Sequence, residues 1–159
     1  MAIDTGKVEN RRKLKFDSVA DILADVERLN QSKFTTLGNW SGGQILKHLA
    51  IVMNDSIDGS KMRLSFPVRI LGRTLKGRVL KKGMTPGFQL NRAAAEILVP
   101  PETSWEEGVQ VFRRTIHRLQ TETRRMPHPF FGSMTSAEWE SLHCRHSELH
   151  LGFLVPATA

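Results

Sequence analysis

Between Trp105 and Met126 the apolar residues recur at alternating intervals of four and three, the period of one face of an α-helix. The stripe consists of Trp105, Val109, Phe112, Ile116, Leu119, Thr123 and Met126. Three other segments have a helical period, and each begins where Ser or Thr precedes an acidic residue or Gln by three positions, a capping box. We therefore predict four helices, over residues 18–32, 41–58, 104–125 and 135–153.

The links between these helices are short, long and short, which predicts an all-α four-helix bundle with a long crossover between helices 2 and 3. Strand signals are weak. Short links make helices 1 and 2 antiparallel, and likewise helices 3 and 4. The crossover lets helix 3 run parallel to helix 2, so helix 4 is antiparallel to helix 2. We expect one domain over residues 16–159, preceded by a flexible basic tail over residues 1–15.

The crossover, residues 59–102, is interrupted by Gly and Pro and ends at Pro100 and Pro101. Pro67 is placed to open a short helix, and GMTPGF, residues 83–88, predicts a break after it. One side of this helix would carry Val68, Leu71, Leu75 and Val79. We expect the crossover to cover the bundle end, with Phe66, Ile70, Leu71 and Leu75 packed down.

The net charge of +7 is concentrated in the crossover. Residues 59–95 contain nine Lys or Arg and no Asp or Glu, whereas the rest of the chain has 14 basic and 16 acidic residues. Three interpretations are open: a solvated flap, a surface for anionic ligands or lipids, and a nucleic-acid patch. The flap is favoured, and specific nucleic-acid binding is disfavoured because few aromatic residues interleave with the basic ones.

Three histidines from two predicted helices can meet at one end of the bundle. His146 and His150 are one turn apart on one face of helix 4, near its end, and His48 lies in the second turn of helix 2. Antiparallel packing brings these ends together. Three imidazoles with one open position favour a divalent transition metal, most readily Zn²⁺ or Ni²⁺, over Mg²⁺ or Ca²⁺.

The neighbouring polar residues have more than one interpretation. His143 is a fourth ligand, a hydrogen-bonding partner of the ligands, or part of the rim. Asp55 orients a ligand, acts as a base, or has a solvated or capping role. His143 and Asp55 are our candidates for catalysis. Cys144, the one cysteine, excludes an intrachain disulfide, and we interpret it as a packing residue. His117 and His128 are interpreted as structural or exposed, and the tryptophans are given no chemistry.

No apolar run approaches the roughly 20 residues of a membrane span, and the N-terminal residues do not have the pattern of a secretory signal. A cytoplasmic protein is therefore expected.

GNWSGGQILKHLA, residues 38–50, and EWESLHCRHSELHLGFL, residues 138–154, resemble the DinB/YfiT-like superfamily of metal-binding four-helix bundles, in a branch of unknown function. The resemblance extends from about Asp17 to Leu154. It implies that His48, His146 and His150 bind a divalent metal ion, that homodimers are frequent, and that relatives use low-molecular-weight thiols in transferase or isomerase reactions. The basic crossover is not part of the common pattern.

Two functions follow as hypotheses. The first is a metal-dependent hydrolase or thiol-dependent transferase that acts on a small molecule, either an anion or a thiol, since three protein ligands leave the ion an open position. The second is a non-catalytic, metal-stabilised binding protein whose basic crossover docks a partner or an anionic surface.

Overall fold

The structure, a computed structural model, describes residues 3–87 and 90–157. Within these ranges the chain is all-α apart from one two-stranded antiparallel sheet, which confirms the predicted fold class. The helices are α1 Val19–Asn30, α2 Gly42–Asp58, α3 Phe66–Lys82, α4 Arg92–Leu98, α5 Trp105–Thr121 and α6 Ser136–Leu151. The strands are β1 Phe34–Thr36 and β2 Leu154–Pro156, and a 3₁₀ turn at Thr5–Lys7 precedes α1. The predicted break at residues 83–88 is not helical over 83–87, and Phe88 lies outside the described residues.

The four bundle helices α1, α2, α5 and α6 begin at the predicted caps. The side chains of Ser18, Ser41, Ser104 and Thr135 each accept a hydrogen bond from the backbone N–H three residues on. The helix ends lie within two residues of their predicted positions, except in α5. That helix ends at Thr121 because the Arg125 guanidinium donates to the carbonyls of Leu119 and Glu122, which takes over the role of the next helical turn.

The bundle has the predicted directions. Gly43 at the start of α2 contacts the residues before α5 so closely that an added Cβ would lie 2.2 Å from the carbonyl oxygens of Thr103 and Ser104. Farther along, the Asn54 amide donates to Thr115 Oγ1, so α2 and α5 run parallel. The core between the helices is apolar, with Leu46, Leu49, Met53, Phe112, Ile116 and Leu151 all fully buried.

The chain before α1 and the small sheet fix the C-terminal end of α6. Arg12 makes a two-pronged ion pair with the buried Asp25 of α1, and its backbone N–H donates to the carbonyl of Gly152. Phe16 is buried in the main core. Strand β2 continues directly from α6 and pairs with β1, which leads into α2. The ends of α2 and α6 that carry the three histidines are thereby held together.

Helix α3 differs from the expected short cover. It has 17 residues, as many as α2, and its contacts are with α6 and the loop before it. Phe66, Ile70 and Leu71 are 70%, 46% and 54% exposed, so the expectation that they pack down was wrong. The reason is that Gly72, Val79 and Leu80 form the packed side instead, with Gly72 against the carbonyl of Phe130.

Within the described residues, every helix is too short or too polar to cross a lipid bilayer.

Candidate metal centre

His48, His146 and His150 lie together where the start of α2 meets the end of α6. One ring nitrogen from each lies within 4.8 Å of the others. His48 Nε2 and His146 Nε2 are 3.2 Å apart. The ring centroids are 4.6–5.0 Å apart in all three pairs, with the planes steeply inclined to one another. The structure therefore brings together the three histidines that the sequence singles out.

The orientation of His48 is fixed by α4. Its Nδ1 lies 2.8 Å from the carbonyl oxygen of Leu98, the last residue of α4. Because a carbonyl only accepts, Nδ1 must carry the proton and donate it. In the neutral ring this leaves a lone pair on Nε2, the atom that faces His146. A backbone carbonyl in this position is the usual way in which a metal-binding histidine is held in one tautomer.

The spacing of the ring nitrogens fits a small divalent ion. Three nitrogens bound tetrahedrally at about 2.1 Å from one Zn²⁺ lie about 3.4 Å from each other. The His48–His146 separation of 3.2 Å already matches this value. The spread of up to 4.8 Å leaves an adjustment of about 1.4 Å, which rotation of an imidazole about its side-chain bonds supplies.

Burial keeps the three imidazoles neutral. It lowers the pKa of His48, although the hydrogen bond to Leu98 acts in the opposite direction. Burial also lowers the pKa values of His146 and His150 to well below the ordinary value, and the neighbouring histidines lower them further. Neutral imidazole is the form that binds a metal. Near neutral pH the three side chains are therefore in the protonation state that a metal ion requires.

Trp40 forms an aromatic wall over two of the three ligands. Its ring is stacked on His150, with centroids 5.6 Å apart and planes inclined by 6°. It also lies 4.9 Å from the ring of His48. Trp40 directly precedes Ser41, the N-cap of α2, so the cap that starts the helix also positions the indole. Sequence reasoning assigned Trp40 no chemistry and did not find Leu98. The one available signal for Trp40 was its place in the W-S-x-x-Q-x-x-x-H stretch.

His143 and Asp55, the two candidates for catalysis, lie outside the group of three ligand nitrogens. His143 is buried one turn before His146, stacks on Trp139, and has its Nε2 3.3 Å from Ser56 Oγ. Burial lowers its pKa to about 3. Asp55 is half-buried on α2 and lines a groove of about 410 Å³ with Lys61 and Ile97. Burial raises the pKa of Asp55.

The remaining titratable candidates are structural. Cys144 is buried in the main core, and burial raises its pKa to about 12, which disfavours the thiolate. His128 Nδ1 accepts hydrogen bonds from the backbone N–H groups of Phe130 and Phe131, so it shapes the loop before α6. His117 is exposed on α5.

A comparison with protein families matches residues 8–157 to a family described as "Protein of unknown function (DUF1569)". Because the match spans nearly the whole chain, the protein belongs to this family. No curated protein and no solved structure matches the chain.

Proposed function

We propose that this member of the DUF1569 family is a metal-dependent enzyme that binds one divalent transition-metal ion, Zn²⁺ or Ni²⁺, through His48, His146 and His150. The observation that carries the proposal is the convergence of three neutral imidazole nitrogens within 4.8 Å, one of them already held in the metal-binding tautomer by Leu98. Imidazole nitrogen is a preferred ligand of both ions.

Three protein ligands leave a position for a substrate or water, as in catalytic zinc sites. When bound, such an ion supplies Lewis-acid chemistry and lowers the pKa of water or of a thiol. The chain's own part is orientation: Leu98 fixes the His48 ring, and Trp40 restrains His150 from one side. We propose a small-molecule substrate, anionic or carrying a thiol, and hence a hydrolase or a low-molecular-weight-thiol-dependent transferase.

Asp55 is the better candidate for a second catalytic group. A proton-transfer residue works best when its pKa lies near the working pH. The pKa of Asp55 is raised toward that range, whereas the pKa of His143, about 3, is far below it. Asp55 lies two helical turns from His48, about 10 Å along the axis of α2. The groove that Asp55 lines includes none of the three histidines, so a substrate would have to reach from the metal into this groove to meet Asp55.

We also propose that the chain is a DinB/YfiT-like protein. Two features support this placement: the short, long and short connections of the bundle, and a ligand set with one histidine on the second bundle helix and an H-x-x-x-H pair on the last. Homodimer formation belongs to the same proposal.

The open coordination position is testable by cobalt substitution. Protein without a histidine tag is stripped with a chelator, loaded with Co²⁺, and titrated with 2-mercaptoethanol while its visible spectrum is recorded. We expect thiol addition to change the spectrum, because a thiolate would enter the open position. His117→Ala, an exposed histidine of α5, is the matched control and should load like the wild type.

A cobalt spectrum that thiols and small anions leave unchanged would mean a closed site. That result would favour the non-catalytic alternative, in which the metal only stabilises the bundle. Absence of a cobalt spectrum in the wild type would contradict the metal site itself.

A further inference from the structure

Helix α3 is held against the bundle by one side only. An added Cβ at Gly72 would lie 2.0 Å from the carbonyl oxygen of Phe130, so this side of α3 lies directly on the loop before α6. One and two turns later, Lys76 pairs with Glu138, and Val79 and Leu80 pack on a small cluster around Trp139. These contacts fix which side of the helix faces away from the protein.

The opposite side carries apolar residues in its first half. On a helix of 3.6 residues per turn, Phe66, Ile70 and Leu71 lie within about 85° of the direction opposite the packed side, so all three are on the outer half of the helix. They are 70%, 46% and 54% exposed, and Val68 beside them is 38% exposed, so the start of α3 has more exposed large apolar side chains than any other described helix. Isolated exposed apolar residues are ordinary, but three on one helical face are typical of an interaction site.

The same side is basic in its second half. Arg78, Lys81 and Lys82 follow on the outer half. Arg69 and Arg73 are also exposed, but they lie on the packed half of the helix, with Arg73 beside Gly132 of the loop before α6. Within the described part of α3, only Lys76 forms an ion pair. Residues 59–95 contain no Asp or Glu, so no acidic side chain interrupts the outer face of α3. This face is apolar in its first half and basic in its second half.

We propose that the outer face of α3 docks the protein on the surface of an anionic lipid bilayer. Phe66, Ile70 and Leu71 would enter the boundary between headgroups and acyl chains, and Arg78, Lys81 and Lys82 would lie among anionic headgroups. This arrangement places the helix in the plane of the bilayer surface. The inference is independent of the metal site.

Charge and chemistry favour this occupant over two others. A second copy docked symmetrically on the same face would bring two basic surfaces together, and like charges repel. A nucleic acid would satisfy the basic residues but gives no role to exposed Ile and Leu side chains, because base stacking uses aromatic rings. An anionic bilayer uses both halves of the face.

Vesicle co-sedimentation tests the proposal with the full chain. The probes are vesicles of phosphatidylcholine alone and of phosphatidylcholine mixed with phosphatidylglycerol, at low and physiological salt. We expect binding only to the mixed vesicles, and weaker binding as salt rises. The variant Arg78→Gln/Lys81→Gln/Lys82→Gln should bind on the order of 100-fold more weakly at low salt, because each basic residue near an anionic surface contributes about a 5-fold gain.

A second variant, Phe66→Ser/Ile70→Ser/Leu71→Ser, keeps the charge and should lose at least about 10-fold. Since these side chains are exposed, its thermal unfolding should match that of the wild type. The matched controls are Lys13→Gln/Lys15→Gln/Lys33→Gln, three exposed lysines outside α3, and Ile3→Ser/Val99→Ser, two exposed apolar residues elsewhere. Each control should lose less vesicle affinity than its α3 counterpart. On a logarithmic scale, its fold-loss should be less than half as large.

Three results would overturn the proposal. The first is no binding of the wild type to mixed vesicles at low salt. The second is equal loss in the α3 variants and their controls. The third is a different occupant: tighter binding to duplex DNA than to mixed vesicles, or self-association in light scattering that the Phe66 variant abolishes.

Discussion

At the scale of single residues, the three-histidine cluster is oriented by side chains outside it. Trp40 lies against His150 and His48, so it limits the rotation of both rings. We expect Trp40→Ala to weaken Zn²⁺ binding by about 10- to 100-fold, the usual effect of losing a group that orients metal ligands. Isothermal titration with a competing chelator measures the change.

The matched variant Trp40→Phe keeps an aromatic ring over His150 and should remain within a few-fold of the wild type. An unchanged zinc affinity in Trp40→Ala would contradict the role given to the indole.

At this scale, some features of the site could be predicted from the sequence and others could not. The cluster of three histidines was predictable because His146 and His150 share a helical face and the order of short and long links places His48 at the same end. The Leu98 carbonyl was not predictable, because a backbone acceptor leaves no mark in the residue type. Its position depends on where α4 ends against α2, a contact between segments 50 residues apart.

At the scale of helices, the start of α2 packs so closely against the residues before α5 that it requires a glycine. A Cβ on Gly43 would lie 2.2 Å from two backbone carbonyl oxygens, which cannot move aside as a flexible side chain could. We expect Gly43→Ala to lower the free energy of unfolding by about 1–3 kcal/mol or more. Urea denaturation followed by circular dichroism checks it.

Gly77 is the control within a helix. It has no heavy atom within 4 Å of an added Cβ, so Gly77→Ala should stabilise the protein by about 0.5–1 kcal/mol through helix propensity. If Gly43→Ala unfolded at the same urea concentration as the wild type, the close packing of α2 on α5 would be wrong.

The sequence predicted where the bundle helices begin, but it predicted only partly which side of each helix is packed. The caps at Ser18, Ser41 and Thr135 form reciprocal boxes because each is encoded within four residues. The face of α3 was mispredicted because its inner side begins with Gly72, which carries no hydrophobic signal but allows the closest approach. The apolar period put Val68, Leu71, Leu75 and Val79 on one side, but of these Val79 packs on the cluster around Trp139, whereas Val68 and Leu71 are exposed.

At the scale of the whole molecule, histidines with lowered pKa values make stability depend on pH, and two of them, His143 and His128, lie outside the three-histidine cluster. Burial lowers the pKa of His143 to about 3 and that of His128 to about 4, against 6.5 for the exposed side chain. Between these values the unfolded chain binds more protons than the folded one. The stabilisation is therefore complete above about pH 6.5 and is lost progressively as the pH falls toward 4.

At pH 5 each of these histidines should cost about 2 kcal/mol of stability relative to neutral pH. Unfolding free energies measured by urea denaturation across this range, with chelator present, should show a shallower pH dependence in His143→Gln than in the wild type. His117→Gln, which changes an exposed histidine, should leave the slope unchanged. An identical slope in His143→Gln and wild type would contradict the burial of a neutral imidazole.

The proposed function requires one metal ion bound between α2 and α6, and metal stoichiometry tests this most directly. Tag-free protein is dialysed against Zn²⁺, and bound metal is counted by mass spectrometry. We predict one ion per chain in the wild type and in His117→Ala, and loss of tight binding in His48→Ala, His146→Ala and His150→Ala. A wild type that retains no zinc, or a His146→Ala variant that binds as tightly as the wild type, would contradict the proposed metal centre.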